Sequence, residues 1–82
     1  MAQYRNFVSR EGTLSGAVTV DFPWRPEMIQ ITNDSGSNLQ FKFHAAEDYG
    51  TLKATETISV PNFSAREVFL SGSGAYRVWG WG

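Results

Sequence analysis

The amino-acid sequence predicts an all-β protein: a small antiparallel β-sandwich of seven or eight short strands, jelly-roll-like or immunoglobulin-like. Apolar and polar residues alternate with a period of two in short segments, as in strands that bury one face. Clusters of Gly, Pro, Asn, Asp and Ser separate these segments, and such clusters are typical of turns. The 82 residues are expected to form a single domain over residues 1–82, because a second core would leave too few residues for either.

The alternating pattern is clearest in residues 39–43, where Leu39, Phe41 and Phe43 fall on one face of the predicted strand. No segment has the spacing of a long amphipathic helix. The predicted strands cover residues 4–9, 13–22, 28–32, 39–43, 51–52, 57–60, 67–71 and 75–81.

Three polar or glycine-rich segments predict turns between these strands. Residues 10–12 separate the first two strands, and residues 33–38 (Asn-Asp-Ser-Gly-Ser-Asn) separate the third and fourth. Residues 71–74 (Ser-Gly-Ser-Gly) predict a hairpin between the last two.

Composition excludes several classes of protein. The chain has no cysteine and one histidine, so we expect no disulfide, no metal site and no cofactor. The formal net charge of −1 gives no basic surface for nucleic acid, whose binding depends on clustered Lys and Arg. No apolar run is long enough to span a bilayer, and the first residues lack a signal-peptide pattern. The sequence therefore predicts a protein made in a reducing cytoplasm, with no membrane partner.

The residue pattern gives an enzyme little support. His44 falls on the polar face of its strand beside Lys42, where a solvated side chain is the simpler interpretation. Glu47 and Asp48 are adjacent in a loop, and no serine has the context of a nucleophile. We therefore predict no catalytic residue and a protein that is not an enzyme.

The sequence ends on Trp79-Gly80-Trp81-Gly82, and strand parity makes these tryptophans informative. Arg77, Trp79 and Trp81 share one face of the last strand, whereas Tyr76 and Val78 share the other. Both faces are thus substantially apolar, although a strand that faces water on one side should be polar there. One of these faces needs a cover beyond a two-layer core.

Two interpretations of that cover stay open. The chain itself could supply it, from the loop around Trp24 or from the N-terminal segment with Tyr4 and Phe7. Alternatively, the face is a subunit or partner interface, where Trp, Tyr and Arg are enriched. The small core of so short a chain favours the interface. The predicted interface residues are Trp79, Trp81, Arg77, Phe69, Trp24, Tyr4 and Phe7.

An alternative function uses the aromatic rings as a carbohydrate platform. Trp24, Tyr49 and Trp79 would stack on sugar rings, and Asn38 or Gln40 would bond the hydroxyls if the loops converge. The sequence predicts a small glycan-binding module for host attachment only in that case.

Three segments carry a resemblance to a known class of proteins. They are residues 31–35 (Ile-Thr-Asn-Asp-Ser), 39–43 (Leu-Gln-Phe-Lys-Phe) and 50–57 (Gly-Thr-Leu-Lys-Ala-Thr-Glu-Thr). In this order they resemble small all-β structural proteins of tailed bacteriophage virions, with Thr55 where that pattern has glycine. The resemblance covers about residues 28–81.

The resemblance implies a non-enzymatic virion component, such as a decoration or cement protein or a part of the neck, tail or baseplate. Such proteins are typically symmetric oligomers or many-copy subunits on a larger shell. The implied partners are other virion proteins and copies of this chain, and the implied location is the virion, after synthesis in the host cytoplasm.

Overall fold

The computed structural model of the chain describes residues 4–82, which form six β-strands and no helix. The strands are β1 (Phe7–Asp21), β2 (Met28–Asn33), β3 (Leu39–Lys42), β4 (Gly50–Leu52), β5 (Thr57–Pro61) and β6 (Glu67–Trp81). They form one antiparallel sheet in the order β4-β3-β6-β2-β5, with β1 paired to the other edge of β6. The prediction of an all-β protein is confirmed.

The predicted sandwich of seven or eight strands is not confirmed, because residues 4–82 form six strands in one sheet. Residues 10–12 and 71–74 were expected to be turns, but they lie inside β1 and β6. Each long strand therefore joins two predicted strands. Pairing explains the difference: β1 and β6 run side by side without interruption from Phe7↔Trp81 to Asp21↔Glu67, so each segment has a continuous partner strand along one edge.

The local predictions elsewhere are accurate. The strands predicted at residues 28–32, 39–43, 51–52 and 57–60 correspond to β2, β3, β4 and β5 within one residue at each end. Asn33 belongs to β2, and the rest of the predicted turn at residues 33–38 connects β2 to β3.

Glycines in β1 and β6 curl the sheet into a half-barrel. One edge of β6 pairs with β1 throughout, whereas its other edge pairs with β3 near Leu70 and with β2 near Val78. Gly72 and Gly74 lie between these two regions with φ of 139° and 124°, and Gly16, opposite Gly72, has φ of 116°. Residues with a side chain rarely adopt this backbone, so glycine is required where the sheet bends.

The concave side of the curl holds the hydrophobic core. Even-numbered residues of β6 face inward, and Val68, Leu70 and Val78 are fully buried. The core joins both regions of the sheet in one cluster, formed by Val8, Leu14, Val20, Phe22, Ile29, Ile31, Leu39, Leu52, Phe63, Val68, Leu70 and Val78.

One fully buried polar side chain, Asn33, ties the end of β2 to the neighbouring segments. Its Nδ2 lies 2.8 Å, 3.0 Å and 3.1 Å from the carbonyl oxygens of Ser37, Leu52 and Lys53. Its Oδ1 accepts hydrogen bonds from the backbone N–H of Ser35 (2.9 Å) and from the Ser35 hydroxyl (2.6 Å). Both ends of the amide are thus bonded inside the protein, as a buried polar group requires.

Thr55 adopts a left-handed backbone with φ of 65° in the turn between β4 and β5. A β-branched residue such as Thr55 is unfavourable in this conformation. We expect Thr55→Gly to raise the free energy of unfolding by about 0.5 kcal/mol, because relief of strain exceeds the added flexibility of the unfolded chain. Chemical denaturation measures the change. The matched control is Asn62→Gly at φ of 57°, where asparagine already tolerates the conformation and no gain is expected.

Candidate functional site

The two faces of the last strand have different environments. Val78 is fully buried and Tyr76 packs against the core, so this face of β6 is the concave one. Arg77, Trp79 and Trp81 therefore lie on the convex, outer face of the sheet.

Three rings on this face contact one another and are called the outer aromatic cluster: Phe7, Trp79 and Trp81. The Phe7 ring centroid lies 6.0 Å from that of Trp79 and 5.5 Å from that of Trp81. The two tryptophan rings are 6.3 Å apart and nearly perpendicular, at 87°. Such distances and angles are favourable for aromatic pairs. Phe7 is 55% exposed, so its contacts with the tryptophans leave an apolar surface open to solvent.

A charged pair holds one side of the cluster. The Arg77 guanidinium lies 5.2 Å from the centre of the Trp79 ring, within the range of a cation–π contact. Asp34 accepts two hydrogen bonds from this guanidinium, from Nε at 2.7 Å and from the terminal nitrogen at 3.1 Å. The hydrogen bond to Asp34 is the main cause of the raised pKa of Arg77. The pair is partly exposed, so its effect is to orient Arg77 against the ring more than to stabilise the fold.

The indole N–H of Trp79 is shielded from solvent and has no acceptor among residues 4–82. Indole donors at this depth usually find a partner. The cluster thus contains a polar group that the described part of the chain does not satisfy.

The structure brings four of the predicted interface residues together: Phe7, Trp79, Trp81 and Arg77. Tyr4 lies close by, since its hydroxyl is 3.8 Å from Sδ of Met28, a strand neighbour of Trp81.

Two predicted interface residues lie elsewhere. Phe69 is on the outer face near the start of β6, where its ring is 5.7 Å from Nζ of Lys42. Trp24 packs against the core and against Gly82, so it contributes to the inner side of the sheet. The loop around Trp24 therefore does not cover Trp79 and Trp81, whereas Phe7 of the N-terminal segment covers these two rings in part.

Asp34 was not among the predicted site residues, although it fixes Arg77. In the sequence it is one polar residue of a turn, and its 43-residue separation from Arg77 conceals the contact.

The residues considered for catalysis have structural or solvent-exposed positions. Glu47 Oε1 accepts hydrogen bonds from the backbone N–H groups of Phe43 and His44, both at 3.2 Å, and so shapes the loop after β3. His44 is exposed, and the open depression of about 530 Å³ in this region is lined by Phe43, Ala46 and Glu47 among others and not by His44. Within the described range 4–82 there is no group of three or more His, Asp or Glu side chains placed to hold a metal ion. Those same residues include no helix with the length and apolar character that crossing a membrane needs.

Comparison with known proteins shows similarity in fold. No family model matches this chain, and no curated protein matches it. A de novo designed double-stranded β-helix is similar, with 8% sequence identity, a TM-score of 0.54, and coverage of 94% of this chain and 99% of the design. PirA is also similar, with 17% identity, a TM-score of 0.54, and coverage of 100% of this chain and 96% of PirA. At these identities the likeness concerns the fold alone, and neither structure links the chain to a phage particle.

Proposed function

We propose that this protein is a non-enzymatic structural subunit of a phage particle that associates with copies of itself through the outer aromatic cluster. One observation carries the proposal. Phe7, Trp79 and Trp81 form an apolar surface on the face of the sheet opposite the core, and Phe7 is 55% exposed there. A large aromatic group in this position gains most when a second surface covers it.

The surroundings of the cluster resemble those of a protein interface. Trp79 lies between Ser9 of β1 and Gln30 of β2, so the rings have polar neighbours on both sides. Interfaces commonly have an aromatic centre with a polar rim, and Trp, Tyr and Arg contribute much of their binding energy. The chemistry of this face is thus suited to binding protein.

The resemblance to virion proteins supports a phage particle as the location. Its Asn-Asp turn has a part in this face: Asn33 anchors the turn inside the protein, and Asp34 fixes Arg77 against Trp79. The motif that suggests the family therefore also orients the proposed contact surface.

The finer fold class is part of the proposal. We assign a jelly-roll-like arrangement, because both regions of the curled sheet contribute to one core. The similarity to a designed double-stranded β-helix supports this assignment.

The carbohydrate alternative lacks a comparable observation. Its three rings have different neighbours: Trp24 lies against Gly82, Tyr49 lies 4.4 Å from Nζ of Lys42, and Trp79 belongs to the outer cluster.

We expect Phe7→Ser to weaken self-association about tenfold, because loss of a central aromatic side chain commonly costs more than 1 kcal/mol of binding free energy. The folded chain should lose about 1 kcal/mol of stability or less, since most of the Phe7 side chain is exposed. Sedimentation velocity over a concentration series measures the association, and denaturation measures the stability.

Tyr49→Ser is the matched control, because it removes a ring that is 38% exposed and lies outside the cluster. It should associate like the wild type. A wild-type protein that stays monomeric up to its solubility limit would contradict the proposal. Equal association of Phe7→Ser and Tyr49→Ser would also contradict it.

A further inference from the structure

The longest unpaired edge in the described part of the chain belongs to β1. This strand has 15 residues and pairs with β6 alone. The other edge strands are short: β4 has three residues, and β5 has five and ends at Pro61. Long unpaired edges tend to pair with other chains, so proteins usually protect them.

The register identifies the backbone groups that face this edge. Asn6 exchanges two hydrogen bonds with Gly82, and the N–H of Phe22 donates to the carbonyl of Arg66. Because antiparallel bonding alternates along an uninterrupted register, even-numbered residues of β1 bond to β6. The N–H and C=O groups of odd-numbered residues therefore point to the free edge.

The middle of β1 has little protection from side chains. Residues 12–20 contain no charged residue and no proline, and they include Thr13, Val18, Thr19 and Val20. These residue types favour strands, and an uncharged segment of this kind is prone to pair with another chain. Charged residues occur at both ends of the segment, at Arg10, Glu11 and Asp21.

Arg10 reaches across the bend of β1 to its free edge. Its Nε donates to the carbonyl of Asp21 at 3.1 Å, and a terminal nitrogen donates to the carbonyl of Ser9 at 3.2 Å. Ser9 and Asp21 are both odd-numbered, so both carbonyls belong to the unpaired edge. The planar guanidinium can donate in two directions, and it thereby joins parts of the strand that are 11 residues apart.

We propose that Arg10 is a clasp that keeps the free edge of β1 from pairing with a second copy of this chain. The clasp occupies two acceptors of the edge and holds the strand in its bent form. A partner strand needs a straight run of free N–H and C=O groups. The inference does not rest on the proposed function, because the outer aromatic cluster lies on a face of the sheet and the clasp lies at an edge.

The test is Arg10→Ala, compared with the wild type by sedimentation velocity and by hydrogen exchange of single amides. We expect the average mass to rise at least about twofold over the wild type, the step from one unit to a symmetric pair. Odd-numbered amides between residues 11 and 19 should exchange at least about tenfold more slowly in the associated variant. Even-numbered amides of the same strand already bond to β6 and provide the internal reference. Association through the aromatic cluster would leave the odd-numbered amides unprotected, so the two surfaces are distinguished.

Arg66→Ala is the matched control, because Arg66 also donates to two backbone carbonyls, those of Phe22 and Pro23, away from the free edge. It should keep the wild-type mass. Arg10→Lys keeps the charge without the planar fork and should associate like Arg10→Ala, which also provides a test if the alanine variant does not fold. Wild-type mass and wild-type exchange of the odd-numbered amides in Arg10→Lys would overturn the proposal.

Discussion

Replacement of Asn33 by alanine is expected to lower the free energy of unfolding by about 3 kcal/mol, a large effect for one side chain. Asn33 is fully buried, and its amide bonds the carbonyl of Leu52 and the backbone N–H of Ser35. Alanine would leave these groups without their partner in the interior, where an unpaired donor or acceptor is costly. Urea denaturation followed by tryptophan fluorescence measures the loss.

Asn38→Ala is the matched control from the same turn. Asn38 is exposed and accepts one bond of 3.3 Å from the N–H of Ala54, so its removal should change stability by about 0.5 kcal/mol. Equal losses in Asn33→Ala and Asn38→Ala would contradict the structural role of Asn33.

Asn33→Asp keeps the shape of the side chain but replaces its donor by a carboxylate, which would face three carbonyl oxygens. Burial and the three facing carbonyl oxygens raise the pKa of this carboxyl above its unfolded value, and they outweigh the two Ser35 donors to its other oxygen. The folded state then holds the proton more tightly, so the stability of this variant falls as pH rises from about 4. We expect Asn33→Asp to be less stable than Asn33→Ala at neutral pH and to approach it in acid.

Local alternation was sufficient to predict the short strands of this protein. β2 and β3 each turn one face to the core, and the alternation of apolar and polar side chains is visible within their six and four residues. The long strands were divided because Arg10, Glu11 and Gly12 have turn-like composition. In the structure, Glu11 pairs with Arg77 and Gly12 with Tyr76, more than 60 residues away, and this pairing keeps the segment extended. Residues so distant leave no local pattern in a single sequence.

The candidate site shows the same division between local and distant information. The shared face of Arg77, Trp79 and Trp81 follows from parity and is observed in β6. The contact of Phe7 with both tryptophans depends on the register between β1 and β6, which the sequence does not display. Trp24 is the opposite case. A tryptophan is a residue type that suits an interface, but the structure places its ring against Gly82.

Gly74→Ala is expected to lower the free energy of unfolding by about 4 kcal/mol through two separate effects. The first is backbone strain, since φ of 124° is unfavourable for any residue with a side chain. The second is a clash, because a methyl group at Gly74 would overlap the Cβ of Ser35. A domain of this length has a total free energy of unfolding of about 4–12 kcal/mol. A loss of about 4 kcal/mol should therefore leave the variant largely unfolded at moderate temperature.

Two other glycines separate these effects. Gly16 has φ of 116° but open space around it, so Gly16→Ala should show the strain alone, about 1–3 kcal/mol. Gly36 has neither feature, and Gly36→Ala should be nearly neutral. Thermal unfolding followed by circular dichroism ranks the three variants. A Gly74→Ala protein as stable as Gly16→Ala would show that the turn at Ser35 moves aside.

A double-mutant cycle tests the clash itself. Ser35→Gly removes the Cβ that Gly74→Ala would strike, although it also removes the hydroxyl that bonds Asn33. If the overlap is real, the double variant should be more stable than the sum of the two single losses predicts, by about 1–3 kcal/mol. Additive losses would leave backbone strain as the whole cost. The bend of β6 would then depend on the conformational freedom of Gly74 and not on its close approach to the turn after Asn33.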